Sequence, residues 1–122
     1  MSVTVSPISV KAIDERGALH YFNTDRTGEY LLVYRNAGTL SGQHYHTGIS
    51  ANKNPEDMLL VQGKIELHWK DLKSDLEETI QVNAPSRVLI PAGIWHEVKA
   101  LTDIIFIELN SLVDGSEDTH RL

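Results

Sequence analysis

The chain contains no cysteine. Disulfides and thiolate metal sites are therefore excluded, and any metal ion would have to be held by imidazole and carboxylate. Long apolar runs are also missing. The stretch Ile104 to Ile107 is one strand's worth, far short of a bilayer span, so no membrane partner is expected. Positive charge is sparse: 11 Lys and Arg stand against 17 Asp and Glu, for a formal net charge of −6. The basic residues are scattered, and nothing resembles a track for a phosphate backbone, which removes nucleic acid from the expected partners. The opening Met1-Ser2-Val3-Thr4-Val5-Ser6 lacks the basic start and apolar stretch of a secretory signal, so a cytoplasmic location is expected. No segment has the periodicity of an amphipathic helix.

What the chain does have is alternation. Ile65, Leu67 and Trp69 alternate with Lys64, Glu66, His68 and Lys70, and Thr79 to Asn83 repeats the pattern. Val3 and Val5, then Ile8 and Val10, do the same near the start. These read as half-buried strands. Tyr30 to Tyr34, Met58 to Val61 and Ile104 to Ile107 are apolar on both faces and need cover on both sides. In a small barrel a second subunit or a packed terminal strand would supply the outer cover, and a homodimer is expected on that ground. Turn signals recur at short intervals, among them Asp14-Glu15-Arg16-Gly17, Gln62-Gly63-Lys64 and Pro91-Ala92-Gly93. Asp71 to Glu78 suits either a helical turn or a polar hairpin loop. With 41% apolar residues in a chain of 122, the reading is one all-β barrel or jelly-roll-like domain over 1–122. Its polar tail, from about 113 to 122, is expected to be loosely held unless it docks.

His44 and His46 sit at i and i+2, which on a strand places both imidazoles on one face. Taken alone, two histidines in a polar, Gly-containing stretch are as well explained by simple exposure. Further along come Glu56, Gly63 six intervening residues later, and Pro91-Ala92-Gly93-Ile94-Trp95-His96. Here a family resemblance emerges. Gly42 to Gly63 resembles the first cupin motif, with its His-x-His and Glu-x6-Gly. Arg87 to His96 resembles the second, with its Pro-x-Gly-x-x-His. The resemblance implies a cupin barrel, a double-stranded β-helix. It also implies that His44, His46, Glu56 and His96 ligate one divalent ion, with positions left open for water or substrate. Zinc, iron, manganese, nickel and copper all suit such a set.

The chain departs from the motifs in three places. Residues 47–55 separate His46 from Glu56, where the family usually has three or four; this insert reads as a lengthened loop, either a lid or a projection. Asp57 is the one nearby rival to Glu56, and the Glu-to-Gly spacing favours Glu56. In the second motif, Pro85 and Ala100 replace the leading Gly and trailing Asn. Of the remaining histidines, His68 has the outward strand phase and His120 lies in the tail. His20 is expected to pack in the core; if it faces the cavity instead, it is the best available base. Gln43 and Glu97 are expected to face away from the ligands, and Trp95 and Tyr45 to be core or interface residues near the mouth.

Asp14-Glu15-Arg16-Gly17-Ala18-Leu19 reads equally well as a plain β-turn with Gly17 at its positive-φ position and as one that resembles a turn opening cupins that act on nucleotide-linked sugars. These include deoxysugar epimerases and ketoisomerases. The C-terminal cupin domain of capsular-polysaccharide assembling enzymes is also similar, with its His-x-His after a Gly-containing lead-in and a tail ending in Asp-Thr. The resemblance implies a metal-dependent isomerase or epimerase acting on a small carbohydrate or carbonyl substrate. Retention of four ligands sets the chain apart from metal-free sugar isomerases, in which one cupin histidine acts as base. Two alternatives accompany this reading: an iron-dependent dioxygenase, and a non-catalytic, metal-stabilised module that binds sugar or regulates.

Overall fold

The structure, a computed structural model, describes residues 1–122. In chain order the strands are β1 (Thr4–Pro7), β2 (Val10–Asp14), β3 (Gly17–His20), β4 (Leu31–Arg35), β5 (Leu40–His44), β6 (Glu56–Gln62), β7 (Lys64–Asp71), β8 (Glu77–Asn83), β9 (Ser86–Ile90), β10 (Ile94–Ala100) and β11 (Ile104–Glu108). One short helix follows, α1 (Leu112–Glu117). A five-stranded antiparallel sheet runs β1-β9-β6-β11-β4, and a four-stranded one runs β5-β10-β7-β8. No helix is long and apolar enough to cross a membrane.

Alternation becomes structure where every second residue meets the opposite sheet. Along β7, Ile65, Leu67 and Trp69 are buried while Lys64, Glu66 and Lys70 are exposed. They face Met58, Leu60, Val88, Ile90 and Phe106 from the five-stranded sheet, and together these side chains form one core. The β6–β7 turn shows why a glycine is needed there. Gly63 has φ +94°, and a Cβ at this position would lie 2.5 Å from the Asp103 carbonyl oxygen, so backbone rather than a yielding side chain blocks any larger residue. Between β7 and β8 the chain makes a hairpin loop over residues 72–76, where the Asp71 carboxylate accepts from Lys73 N and Ser74 Oγ.

Two sequence expectations are corrected, those for Val10 and for the tail. Val10 is exposed rather than half-buried, because β2 and β3 pair only with each other and stand clear of both sheets. The outer face of β4 has no cover within the chain: Leu32 and Tyr34 are 60% and 63% exposed. The tail is held. Ser111 caps α1 in a reciprocal capping box with Asp114, and beyond the helix Tyr45 and His120 exchange backbone hydrogen bonds of 2.9 Å.

Candidate metal centre

β6 brings its first two residues to opposite faces of the sheet. Glu56 points into the barrel. Asp57 points outward and forms a two-pronged ion pair with Arg87, at 2.9 Å to Nε and 2.6 Å to Nη2. β10 delivers His96 to the interior, paired in register with His44 at the end of β5. A bulge follows that pair. Gly42 and Gln43 take positive φ values of 85° and 59°, and the extra residue turns β5 inward at His44. His46 follows beyond the strand end and is buried.

The structure brings His44, His46, Glu56 and His96 together, with one donor atom from each lying within 4.8 Å of the others. The His44 ring centroid is 4.9 Å from that of His46 and 4.8 Å from that of His96. Glu56 Oε2 lies 2.9 Å from His46 Nε2 and 3.2 Å from His96 Nε2. The opposite nitrogens face carbonyls: His46 Nδ1 is 2.6 Å from Asp118 O, and His96 Nδ1 is 3.1 Å from Ile94 O. Every partner of these two rings is thus an acceptor. A neutral imidazole has one N–H, which the carbonyl takes, leaving the Nε2 lone pair aimed at a carboxylate. Only a proton or a metal ion between them resolves that contact, and a carbonyl on the far nitrogen is the usual orienting partner of a metal-ligating histidine. The residues fit a divalent ion.

The electrostatics agree. Burial, and next the neighbouring His96, pull the His44 imidazole down to about 3, so its lone pair is free at neutral pH. Burial alone would raise Glu56, but its contacts with His46 and His96 and the charge of Lys53 outweigh it and hold the carboxyl well below its usual range. His44 is the half-exposed member of the four, and solvent reaches the centre on its side. Beside it lies a small cavity of about 40 Å³ lined by Ser41, His44, Glu56, His96, Phe106 and Glu108 among others.

His20 is not part of this arrangement. It sits exposed at the end of β3, with Nδ1 2.8 Å from Ile8 O, in the hairpin that leaves the sheets. Neither core packing nor the role of cavity base applies to it. Gln43 and Glu97 bond to each other away from the centre, at 2.9 Å. His68 faces outward, half-buried, against Glu77 and the edge of Trp95. Tyr45 lies against His120.

Three residues that sequence reasoning missed belong to the centre. Glu108 lines the cavity, and burial followed by the charge of Glu56 raises its carboxyl. Its signal was present in the period-two phase shared with Ile104 and Phe106. Lys53, from the insert, is buried with Nζ 3.4 Å from Glu56 Oε1. Asp118 is fully buried, and its carboxylate accepts from Thr47 N and Oγ1, Gly48 N and Ser50 N. The insert is therefore a pinned inner loop rather than a projection.

No protein-family model matches the chain, and no curated protein matches it in sequence. Solved structures do match in fold. A 3′-monoepimerase from Streptomyces bikiniensis, in complex with dTDP-quinovose, superposes with a TM-score of 0.78 at 16% identity, over 98% of this chain and 69% of that one. A sugar 3,4-ketoisomerase from Thermoanaerobacterium thermosaccharolyticum, in complex with TDP, gives 0.74 at 17% identity, over 98% and 88%. A dTDP-4-dehydrorhamnose 3,5-epimerase from Sulfolobus tokodaii gives 0.70 at 19% identity, over 88% and 68%. At these identities the likeness concerns architecture, and the chain has the all-β cupin fold that these sugar epimerases and ketoisomerases share.

Proposed function

We propose that this protein is a metal-dependent isomerase or epimerase whose substrate is a small carbohydrate or carbonyl compound, with a nucleotide-linked keto sugar the first choice. The reading rests on one observation: two imidazoles with their Nδ1 atoms tied to carbonyls turn bare Nε2 lone pairs toward one buried carboxylate. His44, His46, Glu56 and His96 would hold the ion. When bound, it supplies a Lewis acid for a substrate carbonyl or hydroxyl oxygen. The chain's own residues do the rest. Met58, Ile90, Val98 and Phe106 give the cavity its apolar lining. Glu108 replaces His20 as the candidate base. Its carboxylate lines the same cavity, where it takes the proton from the carbon next to the carbonyl and returns it, to the neighbouring carbon or to the other face. The cavity admits reacting atoms or a water or two rather than a whole sugar, so the remainder of the substrate lies on the half-exposed His44 side.

The test is turnover in D₂O across TDP-linked keto sugars and free ketoses. Solvent deuterium is expected at the carbon beside the carbonyl, and chelation should abolish its uptake. Oxygen consumption without deuterium uptake would select a dioxygenase, and saturable binding with neither would select a binding module.

The protein partner in this reading is a second copy of the chain, seated on the uncovered outer face of the edge strand β4. Leu32 and Tyr34 there are the large apolar side chains that such an interface needs. Sedimentation should give twice the monomer mass for the wild type and the monomer mass for a Leu32→Asp, Tyr34→Lys double variant. A monomeric wild type would refute the interface.

A further inference from the structure

The metal reading leaves one buried side chain of the centre without a role. Lys53 is 3% exposed, and its ammonium lies 3.4 Å from Glu56 Oε1. The other oxygen of that carboxylate, Oε2, serves the imidazoles of His46 and His96. Glu56 is thus divided, one oxygen for the ligand set and one for a cation that belongs to the chain. Glu56 is the hydrogen-bonding partner of the Lys53 ammonium, and a buried charge that loses its partner is strongly disfavoured. Nor does the backbone give it room to leave. Lys53 N donates to Ser50 O at 2.9 Å, Lys53 pairs with Glu56 in an antiparallel bridge, and Gly48 N and Ser50 N are held on the Asp118 carboxylate.

A divalent ion taken up by the three imidazoles and Glu56 has to share that carboxylate with the ammonium. Like charges brought this close in a buried site repel far more strongly than in water. With Oε1 engaged, the carboxylate also has one oxygen to offer instead of two. We propose that Lys53 is a resident competitor for Glu56. It holds the carboxylate in place when no ion is bound, weakens the ion's hold when one is, and so makes the centre exchangeable rather than permanently loaded. The inference builds on the metal-site reading above and concerns affinity, whatever the reaction.

Zinc chloride alone, titrated calorimetrically at neutral pH into the metal-free full chain, provides the test. Lys53→Met and Lys53→Gln both remove the charge, and the second keeps a donor for Glu56. Both should bind zinc about tenfold or more tightly than wild type. Lys53→Arg, which keeps the charge, should stay within about threefold of wild type. Thermal melts of the metal-free variants accompany the titrations, and if Lys53→Met lacks a native baseline, Lys53→Gln carries the comparison. Equal or weaker binding in the charge-removing variants, with wild type still binding zinc, would overturn the role of Lys53 and leave the metal site intact. Absence of zinc binding in every variant and in wild type would overturn both.

Discussion

Asp118→Ala is expected to cost the metal-free protein about 3–4 kcal/mol of stability, an unusually large loss for a residue so near the end of the chain. The carboxylate is fully buried and accepts from Thr47 N at 2.8 Å, Thr47 Oγ1 at 2.7 Å, Gly48 N at 2.9 Å and Ser50 N at 3.2 Å. Burial would raise this acid, yet the hydrogen bonds from Thr47, Ser50 and Gly48 outweigh it and hold the group far below the usual carboxylate range. Bonds to a charged acceptor are each worth about 1.5–3 kcal/mol, and only part is recovered when the freed N–H groups reach water. The same variant should weaken metal binding by about 10- to 100-fold, as loss of a ligand's orienting partner does. The reason is that the Asp118 carbonyl, 2.6 Å from His46 Nδ1, stays in place only while the side chain below it is anchored. Asp118→Asn keeps one accepting oxygen and should fall between the two. Urea unfolding and zinc titration read the two effects separately. A stability loss under about 1 kcal/mol would mean that residues 47–50 are held by something else.

That double duty explains what the sequence could and could not disclose. Alternation in β7 and the both-face apolar runs at Met58 and Ile104 announced strands, because a strand's side-chain period is local and each core residue needs only its immediate neighbours to display it. The four clustered side chains were legible through the resemblance to the two cupin motifs, since His-x-His, Glu-x6-Gly and Pro-x-Gly-x-x-His are each short local patterns, although His46 lies beyond the end of β5. Lys53 and Asp118 were not legible. Each acts through a loop or tail whose position depends on contacts from elsewhere in the chain, and neither spacing nor period encodes a partner 68 to 71 positions away. Glu108 lies between these cases. Its inward phase could be counted from Ile104 and Phe106, but an acidic residue ending an apolar strand reads equally well as the start of a turn. His20 failed for a different reason. The alternation of Ile8 and Val10 reads as a half-buried strand, and the pattern is silent on whether another layer of the same chain covers it or its neighbour β3.

The adjacent acids Glu56 and Asp57 permit the strictest test of the centre, because β6 points them to opposite faces and gives them different work. Glu56→Gln keeps the volume but removes the charge that a divalent ion requires, and it also strips the Lys53 ammonium of its counter-ion. Zinc affinity should fall by more than about a hundredfold, exceeding the loss typical of changes behind the ligands. The metal-free protein should also be less stable, because a buried cation is left unpaired. Asp57→Asn should spare the metal and weaken the fold. Its carboxylate is 1% exposed and bound to Arg87 through two prongs, so neutralising it breaks a largely buried pair while one hydrogen bond survives. The expected cost is about 2–4 kcal/mol, somewhat under that of deleting a partner outright. Zinc affinity should remain within about threefold of wild type, since no atom of Asp57 reaches the barrel interior. Zinc titration and urea unfolding of the two variants side by side separate ligation from folding. If Asp57→Asn abolished zinc binding while Glu56→Gln retained it, the ion would have to lie outside the barrel near Arg87, where a guanidinium already occupies the carboxylate and no imidazole of the four is within reach.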